Sequence, residues 1–262
     1  MESLKFCKRI TVKIGSSTLT HSATGRLNIR RIESLVRVLS DIKNSGREVV
    51  LVSSGAVSAG AAKLGTPPGG KTIAEKQALA AIGQTELMRL YERLFASYGY
   101  NVGQILMTKD VIDDPHRLEL AKNTFTKLFE FGCVPIVNEN DSVSCEELKF
   151  GGNDTLSAYV ALVSGADLLI NLSDIDGLYD SDPRKNPDAQ IIRRVDAITD
   201  DILACAGGAG TDRGTGGMVT KLKAAGIAGS GGIPMIIMNG KDPTMLYSVI
   251  EGAKIGTFFS AN

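Results

Sequence analysis

The sequence predicts an α/β protein with a mainly parallel central sheet and helices packed on both faces. Three observations predict it. Short apolar runs rich in Val and Ile recur along the 262 residues, at 10–14, 49–52, 102–107, 134–137, 167–171 and 234–237. Between them lie segments whose apolar residues return every three or four positions, the spacing of a helix face. Helices interposed between strands join parallel neighbours by right-handed crossovers, which cover both sides of a sheet. No internal repeat, low-complexity tract or linker interrupts the pattern, so residues 1–262 are expected to form a single domain.

The first strand, Ile10-Thr11-Val12-Lys13-Ile14, runs into the turn Gly15-Ser16-Ser17-Thr18. A lysine in a central strand is unusual. Lys13 is either the solvated residue of an edge strand or a charge carried to the strand's C-terminal end, where open α/β sheets bind ligands. Residues 27–45 make an amphipathic helix with Ile29, Ile32, Val36, Leu39 and Ile42 on one face, ended by Gly46. The strand 48–53 turns through Ser53-Ser54-Gly55-Ala56-Val57 into a helix of small residues. This is a second strand, glycine turn and helix start, and a second possible anion site.

Gly65-Thr66-Pro67-Pro68-Gly69-Gly70-Lys71-Thr72 matches the Walker A pattern in form only. A helix precedes it where that motif needs a strand, and its two prolines remove loop N–H donors. It reads as a helix–helix connector, followed by a long helix at 73–97. A strand at 102–107 and a helix at 117–131 come next. The strand 134–137 ends in Asn138-Glu139-Asn140-Asp141, four polar residues suited to gripping a polar substrate, and 142–150 reads as short and hairpin-like.

Gly151-Gly152-Asn153-Asp154 opens a helix at 155–164. Asp154 as an N-cap is one reading; the clustering of glycines, Asn and Asp at a helix mouth points to a site. The strand 167–171 leads to Ser173-Asp174-Ile175-Asp176-Gly177, which resembles an EF-hand start but has its glycine too early and no closing Glu. Ser181-Asp182-Pro183 and Asn186-Pro187 mark an exposed excursion, and 198–206 a short helix. The glycine-rich run 206–213 then precedes Gly214-Thr215-Gly216-Gly217-Met218-Val219-Thr220-Lys221. A glycine turn that opens a helix, with a lysine in its first turns, offers unpaired N–H groups, a positive dipole end and a full charge to a polyphosphate. A strand at 234–237, the turn Asn239-Gly240, a helix at 244–251 and a strand at 256–259 complete the chain.

Composition excludes several function classes. The 29 basic and 29 acidic residues cancel, which removes the electrostatic footprint of a nucleic-acid binder or an anionic-membrane binder. No apolar run approaches the ~18 residues needed to span a membrane. Cys7, Cys133, Cys145 and Cys205 are scattered without a CxxC pair, as in a cytoplasmic protein with reduced thiols, and with His21 and His116 they make no metal site. The GxGxxG fingerprint of dinucleotide folds and the HRD and DFG motifs of protein kinases are missing.

Two lysines beside glycine turns, an aspartate at a helix mouth and polar strand ends point to phosphoryl transfer. That reaction asks the protein for positioning and positive charge rather than covalent chemistry. Lys13 and Lys221 would supply the charge from opposite sides with Asp154 between them, and Mg²⁺ would bridge the nucleotide phosphates rather than sit in a protein cage.

The chain resembles the amino-acid kinase family from VKIGSS near Val12 to GTFF near Phe259. The most specific pieces are VSSGAVSAG, KQALAAIGQ, VPIVNENDSV, FGGNDTLSA, DIDGLYDSDPRKNP and GTGGMVTKLKAA. The resemblance implies an open αβα three-layer sandwich that transfers the γ-phosphoryl group of ATP to the side-chain carboxylate of L-glutamate, in the first step of proline synthesis. It implies Lys13, Lys221 and Asp154 as the catalytic set. Ser54, Gly55, Asn138, Asp141 and Asn153 match substrate-binding positions. Lys13, Gly15, Ser16, Ser173, Asp174, Thr215, Gly216, Gly217, Met218, Val219, Thr220 and Lys221 match the ATP site. It further implies a homo-oligomer with proline as a feedback inhibitor. Many relatives carry a C-terminal PUA domain, and the expectation here is the form without it. Since a carboxylate nucleophile is already an anion, no general base is assigned.

Overall fold

A computed structural model describes residues 2–66, 72–144, 150–206 and 217–261. Among these, eight strands form one sheet: β1 (Arg9–Ile14), β2 (Glu48–Ser53), β3 (Val102–Met107), β4 (Val134–Glu139), β5 (Leu168–Ser173), β6 (Arg194–Val195), β7 (Met235–Asn239) and β8 (Thr257–Phe259). The helices are α1 (Ser16–Leu19), α2 (Ile29–Asn44), α3 (Ala56–Leu64), α4 (Ile73–Ala96), α5 (Asp110–Asp113), α6 (Pro115–Glu130), α7 (Asn153–Ser164), α8 (Asp200–Ala206), α9 (Met218–Ser230) and α10 (Met245–Ile250). The sheet order is β3-β4-β2-β1-β5-β7-β8-β6. All neighbours pair in parallel except β7 and β8. The fold is therefore the expected three-layer α/β sandwich.

Period-2 alternation sorts side chains into the two outer layers. Ile10, Val12 and Ile14 of β1 pack with Val49 and Leu51 of β2 and with α2, α3, α4 and α10. On the opposite face Val50 and Val52 meet α6 and α7, and Leu169, Met235 and Ile237 meet α7 and α9. Strands buried on both sides explain the continuous apolar runs in the sequence. Lys13 lies on the face toward α7 and pairs in register with Val52 on one side and Asn171 on the other.

Local chemistry fixes the helix starts. Asn28 accepts from Arg31 N to cap α2, and Thr72 with Glu75 forms a capping box at α4. Asp114 caps α6, with Pro115 in its first turn. Helices α3 and α4 cross in close backbone contact. A Cβ on Gly83 would overlap the carbonyl of Ala56, and one on Gly60 the carbonyl of Leu79, so only glycine fits at that crossing.

The order of strands places the site. β1 is central, and the chain leaves it to β2 on one side and later returns to β5 on the other. The C-terminal ends of β1, β2, β4, β5 and β7 share one edge of the sheet, and ligands of open α/β sheets bind at such a switch in strand order. The helix starts after Gly15, Gly55 and Gly152 open at this edge, as does the start of α9 after Gly217.

Several sequence expectations shift here. β4 continues through Asn138 and Glu139, which are buried strand residues rather than the beginning of a loop. The N-cap of α7 is Gly152 at φ 115°, so Asp154 lies inside the first turn and the capping explanation for it fails. The short α1, α5 and β6 were not anticipated; segments of two to four residues carry too little periodicity to be read. The core of the Walker-like connector (67–71, with Lys71), most of the segment 142–150 and the run 207–216 lie outside the described residues.

Candidate active site

The site is built on the first turn of α7. Gly151 and Gly152, both at positive φ, form the turn from which α7 starts against the ends of the central strands. Asn153 and Asp154 are consecutive there. Successive helical side chains diverge by about 100°, so the two point into neighbouring subsites.

Asp154 is 2% exposed and holds four donors. Its Oδ1 accepts from Lys13 Nζ at 2.5 Å and Asn171 Nδ2 at 2.8 Å. Its Oδ2 accepts from Thr220 Oγ1 at 2.7 Å and Lys221 Nζ at 3.0 Å. One carboxylate thus clamps two ammonium groups arriving from β1 and from α9, and both lysine side chains are buried. Burial alone would raise the Asp154 pKa. Lys13 and Lys221, with hydrogen bonds from Lys13 and Asn171, overcome that and hold it well below the usual carboxylate range. Lys13 is pushed below the ordinary lysine value, by burial first and by Lys221 as well, while Asp154 pulls it back up. The cluster has one more amine than carboxylate, so it suits an incoming anion. Gly15 lies directly beside it: a Cβ there would stand 3.5 Å from Lys13 Nζ.

Asn153 looks the other way. Its Nδ2 donates to Ser54 Oγ and to Asn138 Oδ1, each at 2.8 Å. Asn138 Nδ2 donates to Gln84 Oε1 of α4 at 3.0 Å, and Asn138 Oδ1 also accepts from Glu139 N. Beneath them Ser53 Oγ and Tyr91 OH share a hydrogen bond of 2.8 Å, and burial pushes the Tyr91 phenol up to about 12. Ser54, Asn138 and Asn153 therefore form one polar subsite. Gly55 is in left-handed backbone at φ 102°, packed on Leu19 of α1. Asp141 is half-buried in the turn after β4.

A third region is a cleft of about 330 Å³ whose lining includes Ser173, Asp174, Gly217, Met218 and Lys221, with Asp176, Asn239 and Lys241 opposite. Asn239 Nδ2 donates to Asp176 Oδ1 at 2.6 Å, and Gly240 N to Ser173 O, which ties the end of β7 to the end of β5. Lys221 belongs both to this cleft and to the Asp154 cluster, so the two are continuous. Ser16 opens α1 after Gly15. Val219 is 56% exposed and does not line the cleft, while Thr215 and Gly216 lie outside the described residues.

Comparison with known proteins places this geometry. The sequence profile described as the amino acid kinase family matches residues 8–239. The chain belongs to the amino acid kinase family. Relatives within it include a glutamate 5-kinase from Clostridium tetani, 55% identical, covering 99% of this chain and 97% of the relative. Another from Clostridium perfringens is 52% identical, with 99% and 98% covered. In three dimensions this amino acid kinase is similar to an isopentenyl phosphate kinase from T. acidophilum solved as a product complex. The TM-score is 0.65 at 20% identity, over 96% of this chain and 99% of the other, which is a likeness of fold.

Sequence reasoning missed Asn171, Gln84 and Tyr91. Asn171 sits at the end of an apolar strand run and was counted as part of it. Gln84 and Tyr91 lie inside a helix read for its leucine stripe. A polar residue on the buried face of a helix was the available signal for Gln84, since buried polar groups need partners.

Proposed function

We propose that this amino acid kinase transfers the γ-phosphoryl group of ATP to the side-chain carboxylate of L-glutamate, forming L-glutamyl 5-phosphate, the first step of proline biosynthesis. The observation that carries the reading is the pair of lysine amines on the two oxygens of Asp154, one residue from the polar subsite at Asn153. The full-length similarity to glutamate 5-kinases at 52–55% identity selects the acceptor among acidic substrates.

In this assignment the nucleotide lies in the cleft lined by Ser173, Asp174, Gly217 and Met218, with its terminal phosphate beside Lys221. Glutamate lies against Ser54, Asn138, Asn153 and Asp141. The chief obstacle is the approach of two anions. Lys13 and Lys221 lower it by facing the charge that accumulates on the phosphoryl oxygens in transfer, and the amides around Gly15 and Gly55 add donors. Asp154 and Asn171 keep both amines in place without a proton transfer. The carboxylate attacks as an anion, so no residue serves as base.

Mg²⁺ is the expected metal. Among the described residues no group of three or more His, Cys, Asp or Glu side chains forms a metal cage. Asp174, exposed at the cleft, fits a cation that takes its other ligands from phosphate oxygens and water, whose role is to neutralise phosphate charge. We place the protein in the cytoplasm, as a homo-oligomer inhibited by proline in the glutamate subsite. Among the described residues no helix is long and apolar enough to cross a membrane.

The deciding experiment measures ATP- and glutamate-dependent acyl phosphate trapped as the hydroxamate, with aspartate and UMP as parallel acceptors. Hydroxamate formed with glutamate alone is expected. Turnover of UMP with none of glutamate would overturn the assignment.

A further inference from the structure

On the far side of the β7–α10 turn from the cleft lies a second concavity of about 1000 Å³, between α2, the C-terminal end of α4 and residues 241–244. That is at the upper end of the ~300–1,000 Å³ typical of ligand pockets. Arg30, Arg31, Arg37 and Lys241 line it, against the carboxylates of Glu33 and Asp242. The local excess of positive charge is notable in a chain whose 29 basic and 29 acidic residues balance. Asp242 is engaged by the backbone N and hydroxyl of Thr244, whereas the side chains of Arg30 and Arg37, about two turns apart on α2, have no hydrogen bond or ion pair among the described residues; the Arg37 charge acts on the phenol of Tyr247. The Lys241 side chain likewise has no hydrogen bond or ion pair among the described residues.

Two walls of the groove also belong to the catalytic edge. Arg31 donates to Thr18 O at 2.5 Å, and Thr18 lies in α1, the helix that follows Gly15 and Ser16. Lys241 lines both concavities, and its backbone N donates to Asn239 Oδ1, next to the Asn239–Asp176 bond inside the cleft. We propose that this groove is a binding site for a small molecule carrying several phosphate groups, separate from the nucleotide cleft and coupled to it through Arg31–Thr18 and the 239–244 turn. Guanidinium groups pair with phosphate oxygens in a bidentate way, and several together hold a polyanion better than one. Coupling of this kind is reciprocal: an anion in the groove alters nucleotide affinity, and nucleotide alters anion affinity by the same factor.

The test is calorimetric titration of the full chain with inorganic tripolyphosphate at roughly physiological salt, where exposed charges are screened beyond about 8 Å. It is run with the cleft filled by a non-hydrolysable ATP analogue and again without it. One saturable site is expected with the analogue present. It weakens at least tenfold in Arg30→Ala/Arg37→Ala and stays unchanged in Lys122→Ala/Lys127→Ala on the opposite layer. Tripolyphosphate should also shift analogue affinity several-fold in the parent chain and not in the arginine variant. The milder Arg30→Gln/Arg37→Gln repeats the measurement with packing preserved, and circular dichroism checks each fold. Absence of a saturable site, equal affinity in the arginine variants, or an equal loss in the lysine control each overturns the proposal. If the analogue itself fails to bind, the cleft assignment is what fails, and the titration without analogue still decides the groove.

Discussion

Replacing Asp154 with Asn keeps the shape of the side chain and removes the charge between two buried ammonium groups. Lys13 and Lys221 stand 2.5 and 3.0 Å from its oxygens. At an effective dielectric of ~20 each contact is a gross attraction of about 6 kcal/mol, most of it offset by the desolvation of the ions. An amide presents one acceptor and one donor group where four donors now converge, so one lysine loses its partner, together with either Asn171 or Thr220, whose hydroxyl can turn to Gly217 O. Breaking a buried pair from one side costs about 3–5 kcal/mol. At ~2–4 °C per kcal/mol for a chain of this size, the midpoint should fall by roughly 6–20 °C. Turnover should fall by about 10²–10³, as when one transition-state charge contact is lost. Scanning calorimetry and hydroxamate kinetics, the latter well below the lowered midpoint, measure the two effects separately. An Asp154→Asn chain with an unchanged midpoint and turnover within twofold of the parent would falsify the clamp.

Lys221→Ala should lower kcat by about two to three orders of magnitude while leaving glutamate binding largely intact, as read by single-turnover kinetics and a glutamate titration. Gln84→Leu should raise KM for glutamate at least several-fold with the KM for ATP unmoved, because Asn138 loses its acceptor and is free to turn away from Asn153; Gln84→Glu, which keeps an acceptor, should recover most of the loss. Activity should fall on the alkaline side at a pH below the ordinary lysine value, because burial depresses Lys13 and deprotonation removes a charge from the site. Bound ATP adds negative charge, so the alkaline limb of kcat should lie at higher pH than that of kcat/KM. For stability both shifts have the same sign: each lowered pKa means that the unfolded chain binds more protons, so folding is favoured as pH rises. The contribution of Asp154 is complete above the usual carboxylate range and is lost as pH falls through its lowered value, and that of Lys13 grows as pH rises through its own lowered value. Acid and alkaline unfolding curves of the parent and Asp154→Asn chains give the check.

The sequence was most legible where local chemistry decides the outcome. The strand at 48–53 and the one at 102–107 lie where their Val and Ile content puts them, and Gly46 takes positive φ just past the helix it was expected to end. Lys13 beside Gly15 and Lys221 in the first turns of α9 were visible because a charge next to a glycine turn has few structural uses. What stayed hidden depends on contacts between distant segments. Asn171 reaches Asp154 only because β5 pairs with β1 in a register that sets it opposite Lys13. Glu139 stays buried because Ser144 Oγ and Phe150 N donate to it, groups outside its own strand. The hydroxyl of Thr220 donates to Asp154, a contact that only the packing of α9 against α7 creates.

Ile10, Val12 and Ile14 fill one layer while Lys13, threaded among them, faces the other. Deleting a single residue ahead of Lys13 in that strand would exchange the two sets. The ammonium would be driven into the layer of α2 and α4, and the isoleucine that follows it would stand beside Asp154. Catalytic charge and structural interior are written in one odd–even frame. Length changes are therefore confined to the connections between elements, and variation in chemistry has to arise by replacing residues one for one.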